Sequence, residues 1–522
     1  MVRLLKTAIL SALAIAGSLQ SLGAANPPRL IININVGSMN AEDLQRYAAN
    51  FDGGLRKLLD EGAVFTDARY DCMQTVTPAS LATLATGARP STHGIVSERW
   101  FDYTSGRPEN LTEDSREKDF DIRDGKPGHS ARKLTTPTLS DMMIRADSSC
   151  RILSLAITPS SSIVQTGHRG FCFWIDSDRC RWTTSSYYSP MLPSWVKNYN
   201  ADDLHSRYFT GQWTAKYDRS RYRNRRSTLL FAANPKGVAK TDFEKMSRTP
   251  AGNTAVLEFA KYAVKCLSIG VHNHTDILNI CLDTAQEIAE KYGPESIEYE
   301  DMLYRLDADL KEFLSYMDVH LRSGSAVVVF TAAHGSSPAY DIGPEHHGRF
   351  NVAQFQVIMN AYLNAMYGSG DWVLGYSDRS LFLNHNLIDD KRLSMVEVQN
   401  EAAAFALRFR GVAHALSSAM LQSSYFARGY GNKMQNGFYP RRSGDVVIDL
   451  MPEWTEERDG SLSQSGSMYV YDTHVPLIFF GPGIPARRYD EEVDMTVVAP
   501  TLARIVGIGE LPAAESKPLI LD

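Results

Sequence analysis

Cysteine is scarce in this chain, six in 522 residues. Cys72, Cys150, Cys172, Cys180, Cys266 and Cys281 are spaced too widely for a compact zinc cluster, and a chain this long does not depend on disulfides to fold. In an oxidising compartment Cys172 and Cys180 are the candidate local pair. Excess positive charge is also missing: 54 Lys and Arg face 60 Asp and Glu, a formal net charge of -6. Without a basic excess to neutralise phosphates, nucleic acid is excluded as the main partner. Beyond the first 25 residues no apolar run approaches the ~18 residues of a membrane span, so none is expected in the mature chain. Internal repeats and low-complexity linkers are absent as well. What remains is a globular composition, 43% hydrophobic and 22% charged, with residues enough for one large domain carrying insertions, or for two domains.

Residues 1–25 differ from the rest. Arg3 and Lys6 precede a largely apolar run from Ala8 to Ala16, and Ser21 to Ala25 are mostly small. This pattern predicts a signal peptide, with an uncleaved anchor as the alternative. No cysteine stands near the cleavage point, so no lipid attachment is expected. The mature chain, 26–522, is expected to be periplasmic or secreted, with peripheral attachment at the outer membrane left open.

The chain is organised around Val327 to Ser337, where an apolar β-branched run meets a polar turn. It reads as a buried parallel strand delivering Ala333 and His334 to the carboxyl end of a sheet, where open α/β folds place their chemistry. Arg29 to Val36 reads as the first strand, Ala41 to Gly62 as a helix interrupted near Gly53-Gly54, and Val64 to Ala68, Arg151 to Leu155 and Thr275 to Leu282 as further strands. Ser296 to His320 reads as a long helix returning to the central strand. Helices over Met359 to Met366 and Met395 to Arg408, strands from Gly444 and Leu477, and a closing helix over Met495 to Val506 follow. Alternating strands and helices predict a three-layer α/β/α sandwich with a largely parallel sheet. Insertions are expected at about 97–135 and 168–256.

Candidate sites carry two readings each. Thr77-Pro78 is good helix-start chemistry, the hydroxyl capping and proline in the first turn; the same helix terminus suits a nucleophile. The aromatic stretch around Trp174 and Trp182 reads as ordinary packing or as a stacking cradle. The basic region Lys216 to Arg226, containing Arg219, Arg221, Arg223, Arg225 and Arg226, reads as a solvated face or as an anion-binding surface. His346-His347 reads as a surface pair or as metal ligands.

Several motifs together resemble the alkaline phosphatase superfamily, in its branch of type I phosphodiesterase/nucleotide pyrophosphatases and single-threonine bacterial phosphatases. They are Thr77 with Ala85-Thr86-Gly87 and His93-Gly94-Ile95, Gly167-His168, Phe173-Trp174, Tyr292 to Ser296, Arg305-Leu306-Asp307, His334-Gly335, Ser443-Gly444-Asp445 and Tyr471 to Pro476. The resemblance extends from Leu30 to about residue 506. It implies two zinc ions about 4 Å apart and a threonine nucleophile, one metal activating the attacking oxygen and the other stabilising the leaving oxygen.

Carried over residue by residue, that site is degenerate. Gly37 stands where the resemblance implies an Asp after the first strand, and Ala333 where it implies the Asp of an Asp-His pair. Gln286 and Glu290 replace an Asp and a His; Ser465 replaces the last His. Thr77 and His334 survive. At the implied phosphate-binding positions, Glu98 replaces an Asn, and Thr158 and Ser160 replace a Lys and an Arg. These substitutions predict an exported, catalytically inactive member of the fold, without a cofactor, binding or scaffolding an envelope or extracellular protein or glycan. The alternative is a divergent zinc-dependent phosphomonoesterase or phosphodiesterase using Thr77 with ligands relocated to residues such as His346, His347 or Asp341. A protease-like pairing of Thr77 with His334 is a third reading.

Overall fold

The computed structural model describes residues 27–521 except 123–124, 202–207, 209–211, 236–240, 322–324, 342–347 and 459. The expected signal peptide and the His346-His347 pair lie outside the described residues. Thirteen strands position the site: β1 (Leu30–Val36), β2 (Ala63–Arg69), β3 (Ile152–Leu155), β4 (Phe171–Asp176), β5 (Arg181–Thr183), β6 (Asp276–Leu282), β7 (Ala326–Ala332), β8 (Val373–Ser377), β9 (Ser380–Leu383), β10 (Val412–Ser417), β11 (Val446–Leu450), β12 (His474–Phe480) and β13 (Arg487–Asp494). The helices that matter here are α1 (Thr77–Thr86), α2 (Pro159–Thr166), α3 (Thr284–Tyr292), α4 (Ile297–His320), α5 (Val352–Tyr367) and α6 (Met395–Ala406).

The central sheet has nine strands in the order β13-β2-β12-β7-β1-β6-β3-β4-β5. β1 lies parallel between β6 and β7, Ile32 opposite both Leu278 and Val328. Its side chains are buried apart from the half-buried Asn33, as expected of a strand covered on both faces. Helices cover the sheet as the outer layers of an α/β/α sandwich. α4 begins where Ser296 caps it and Glu298 and Glu300 occupy its first turn, favourable against the helix dipole. Among the described residues no helix is long and apolar enough to cross a membrane.

The central sheet is largely parallel, as expected, with β12 running antiparallel to both neighbours and β5 antiparallel to β4. Residues 373–450 contribute a second, antiparallel sheet in the order β8-β9-β11-β10, packed with α5 and α6 around its own core of Phe355, Met359, Leu363, Trp372 and Ile448. Phe171 to Trp174, placed in an insertion by the sequence, belongs to β4 of the central sheet. Trp174 and Trp182 follow the packing reading and not the stacking-cradle alternative: both are core residues, and Trp182 stacks on Phe259 with ring centres 4.0 Å apart. Cys172 and Cys180 are unpaired, because Cys172 faces Ser162 of α2, Sγ to Oγ 3.1 Å, while Cys180 sits on the turn before β5; all six cysteines are free.

Candidate functional site

Three adjacent strands, β7, β1 and β6, end side by side below α1, the carboxyl-end placement expected of such sheets. The loops that follow are tied to one another. Ala333 N–H donates to Val36 O at 2.8 Å, Gly37 N–H to Leu282 O at 3.0 Å and Met39 N–H to His334 O at 2.8 Å. Thr77 meets residues that follow two of them, Gln286 beyond β6 and His334 beyond β7. α1 starts at Thr77 with Pro78 in its first turn, but the hydroxyl makes no cap, contrary to the sequence reading. It is drawn into the site instead.

Thr77 Oγ1 donates to Gln286 Oε1 at 2.6 Å, and Gln286 Nε2 donates to Glu290 Oε1 at 2.9 Å, both from α3. The same hydroxyl lies 3.0 Å from His334 Nε2. His334 Nδ1 faces Gly335 O at 2.6 Å, and since a carbonyl only accepts, the ring proton sits on Nδ1 and Nε2 is an acceptor. One hydroxyl proton thus faces two acceptors. Burial lowers the His334 imidazole to about 4, with the Gly335 hydrogen bond opposing, so it is neutral and weakly basic. Burial raises Glu290 to about 7, the Gln286 amide opposing. With Glu290 protonated and the Gln286 amide turned over, a continuous donor chain runs from Glu290 to His334.

The position of Gly37 explains how this pocket closed. A Cβ there would stand 3.1 Å from Asp283 Cα, 3.2 Å from Asp283 O and 3.3 Å from Gln286 Cβ. A side chain at this position therefore needs the start of α3 to give by a few tenths of an ångström. Asp283, not singled out from the sequence, is itself engaged elsewhere. Its carboxylate accepts from Ile157 N at 3.0 Å, Thr158 N at 2.9 Å and Ser161 Oγ at 2.7 Å, pinning the N-terminus of α2. Burial raises its pKa, and these donors oppose the rise.

A cavity of about 430 Å³ opens beside Thr77. Glu98, Thr158, Ser160, Gln286, Glu290 and Ser465 line it, while Gly37, Ala333 and His334 are not among its lining residues. Glu98 is exposed on the cavity wall, yet the crowding of the cleft raises its carboxyl, a Ser160 hydrogen bond opposing. Asp341 does not converge; it pairs with Arg226 Nη2 at 2.8 Å. Arg223 is exposed and its N–H donates to Glu300 at 2.8 Å. Charged lining residues that sequence reasoning missed include Asp378 and Arg379 at the β8–β9 turn, Glu456 and Arg458.

A two-zinc centre does not fit this donor set. Both nitrogens of His334 are engaged, Ala333 offers no ligand, and Gln286 directs its oxygen at Thr77. Among the described residues no group of three or more His, Cys, Asp or Glu is arranged to hold a metal ion.

The profile of the type I phosphodiesterase / nucleotide pyrophosphatase family matches residues 31–463, and the chain belongs to that family. Alkaline phosphatase PafA of Elizabethkingia meningoseptica is 26% identical over 540 residues, covering 98% of each chain. A protein of Myroides odoratus named calcium-transporting ATPase is 27% identical over 505 residues, 92% of each. The crystal structure of wild-type PafA superimposes with a TM-score of 0.88 at 25% identity, over 95% of this chain and 99% of that one. Murine ectonucleotide pyrophosphatase/phosphodiesterase 5 shares the fold, with a TM-score of 0.54 at 11% identity over 92% of this chain and 96% of that one.

Proposed function

We propose that this chain is an exported member of the family that has lost phosphoryl transfer and uses its cleft, or the segments over it, to bind a partner at the cell envelope. The observation that carries this reading is the surrounding of Thr77. A nucleophilic alkoxide needs positive charge beside it. Here the hydroxyl is held by a neutral amide and a neutral imidazole, and Glu290 stands behind the amide. Glu98, Thr158 and Ser160 supply no cation at the positions where the resemblance implies phosphate binding; the cations on the cavity wall, Arg379 and Arg458, come from elsewhere in the chain and stand beside Asp378 and Glu456. A protein or a glycan is the expected partner class, and no cofactor is expected.

Turnover of aryl phosphate monoesters and bis-aryl phosphates, with and without added zinc, tests the reading. Rates equal to those of a Thr77→Ala variant support it; Thr77-dependent turnover overturns it. The 3.0 Å contact between Thr77 and His334 favours one second reading, a metal-free nucleophile and base. Activity that persists in chelator and is lost in both Thr77→Ala and His334→Ala would establish that reading instead. Reproducible recovery of one partner from envelope extracts is the positive counterpart, and recovery of none counts against a scaffolding role.

A further inference from the structure

The cavity holds charges that its own walls do not match. Arg379 is 5% exposed and lines the cavity, and its Nη1 is buried without a hydrogen-bond partner. Its Nε lies 3.5 Å from Glu456 Oε1, too long for a good hydrogen bond. Glu456 is already occupied, accepting from Tyr376 Oη at 2.7 Å and Arg458 Nη2 at 3.0 Å. The backbone carrying Arg379 is costly as well. Asp378 and Arg379 both have positive φ, 41° and 66°, at the two-residue turn between β8 and β9, where such turns favour Asn and Gly. An arginine held there by strain and buried without full pairing is a functional signal rather than a packing solution.

The carboxylates of the same cavity divide into two sets. Asp283 is saturated by the donors at α2, and Glu287 pairs with Arg248 at 3.2 Å. Glu98, Asp378 and Glu290 are left under-compensated: Asp378 reaches Arg458 only at 3.6 Å, and Glu290 takes a neutral amide. Burial, with Glu456 adding to it, raises Asp378 to about 6, as an under-compensated acid requires. A phosphate dianion would satisfy Arg379 but face these carboxylates. A metal dication would satisfy the carboxylates but face the guanidinium.

We propose that the cavity beside Thr77 binds a small zwitterion, its carboxylate on the Arg379 guanidinium and its ammonium group among the carboxylates of Glu98, Asp378 and Glu290. The planar fork of an arginine suits a carboxylate, and an ammonium has donors enough for several oxygens. About 430 Å³ accommodates a molecule of amino-acid size. This deepens the binding role proposed above and rests on it.

Titration calorimetry of the full mature chain tests the proposal with glycine, β-alanine, γ-aminobutyrate and ε-aminocaproate, each beside its matching carboxylate and its matching alkylammonium, and with inorganic phosphate. One of the amino acids is expected to bind at least about tenfold tighter than either matching half. Arg379→Met should remove that binding and Asp378→Asn should weaken it severalfold, both with the wild-type circular dichroism; the Asp378 variant keeps the test open if Arg379→Met does not fold. Binding of phosphate in an Arg379-dependent manner, with no amino acid bound, overturns the proposal in favour of an anion site. Binding of no probe overturns it as well. Failure of the proposed loss of catalysis is read separately, as Thr77-dependent turnover of aryl phosphate.

Discussion

Replacing Gly37 tests whether the cleft has closed over the position from which a metal ligand would project. The backbone of Asp283 stands 3.1 to 3.2 Å from where a Cβ would be, and Gln286 Cβ at 3.3 Å, all on or beside the start of α3. Relief requires the helix start to move by a few tenths of an ångström, and that segment is held by the Asp283 bonds to Ile157, Thr158 and Ser161. Overpacking of this kind costs about 1–3 kcal/mol. Gly37→Ala measures the steric part alone. Gly37→Asp adds a carboxylate close to Asp283 and near Glu290, with a further cost of about 3 kcal/mol or more for a buried unpaired charge. Urea denaturation of both variants against wild type, with unchanged m, reads these losses. The expected order is wild type, then Ala, then Asp, and no zinc taken up by the Asp variant. A Gly37→Asp protein with wild-type stability and bound zinc would refute the reasoning, because the wall would then be open.

Other predictions follow from groups outside the Thr77 contact. Asp472 is buried, its Oδ1 has no partner, and burial raises its carboxyl from 3.8 to about 7. A raised acid makes the folded state bind the proton more tightly, so its contribution is complete below 3.8 and is lost as pH rises through about 7. Asp472→Asn is expected to flatten the fall in stability between these limits by up to about 4 kcal/mol, and an unchanged pH profile would contradict this. Asp283→Ala should cost about 3 kcal/mol by leaving the donors of α2 unpaired, seen as a lower urea midpoint. Cys266 is exposed and the other five cysteines are buried. One thiol is therefore expected to react with a disulfide reagent in the native chain, and six after unfolding without reductant; fewer than six would reveal a disulfide.

The fold was largely legible because its signals are local and repeated. Apolar β-branched runs alternating with amphipathic stretches locate β1, β6 and β7, and Gly53 does interrupt the first helical region. The small antiparallel sheet escaped because β8 and β9 are short and only half of their residues are apolar enough to register. Strand direction also escaped: nothing local in Leu477 to Phe480 says that β12 runs against its neighbours. At the site, the substitutions at Gly37, Gln286, Glu290, Ala333 and Ser465 were readable one by one. Their mutual fit was not, since the approach of Gly37 to Asp283 and of Thr77 to Gln286 depends on three strands ending together. Arg379 left one faint signal, a charged pair, Asp378-Arg379, between two apolar segments at hairpin spacing. Its burial and positive φ are properties of the folded chain alone.

The most direct measurement of the central claim is elemental analysis for zinc on the purified mature chain, exported and isolated without chelator. The account predicts near-zero zinc per chain, because the positions around Thr77 supply a glycine, an alanine, a serine and an amide where ligands are required. About two zinc ions per chain, lost together with activity in Thr77→Ala, would contradict it and make the protein an enzyme with relocated ligands.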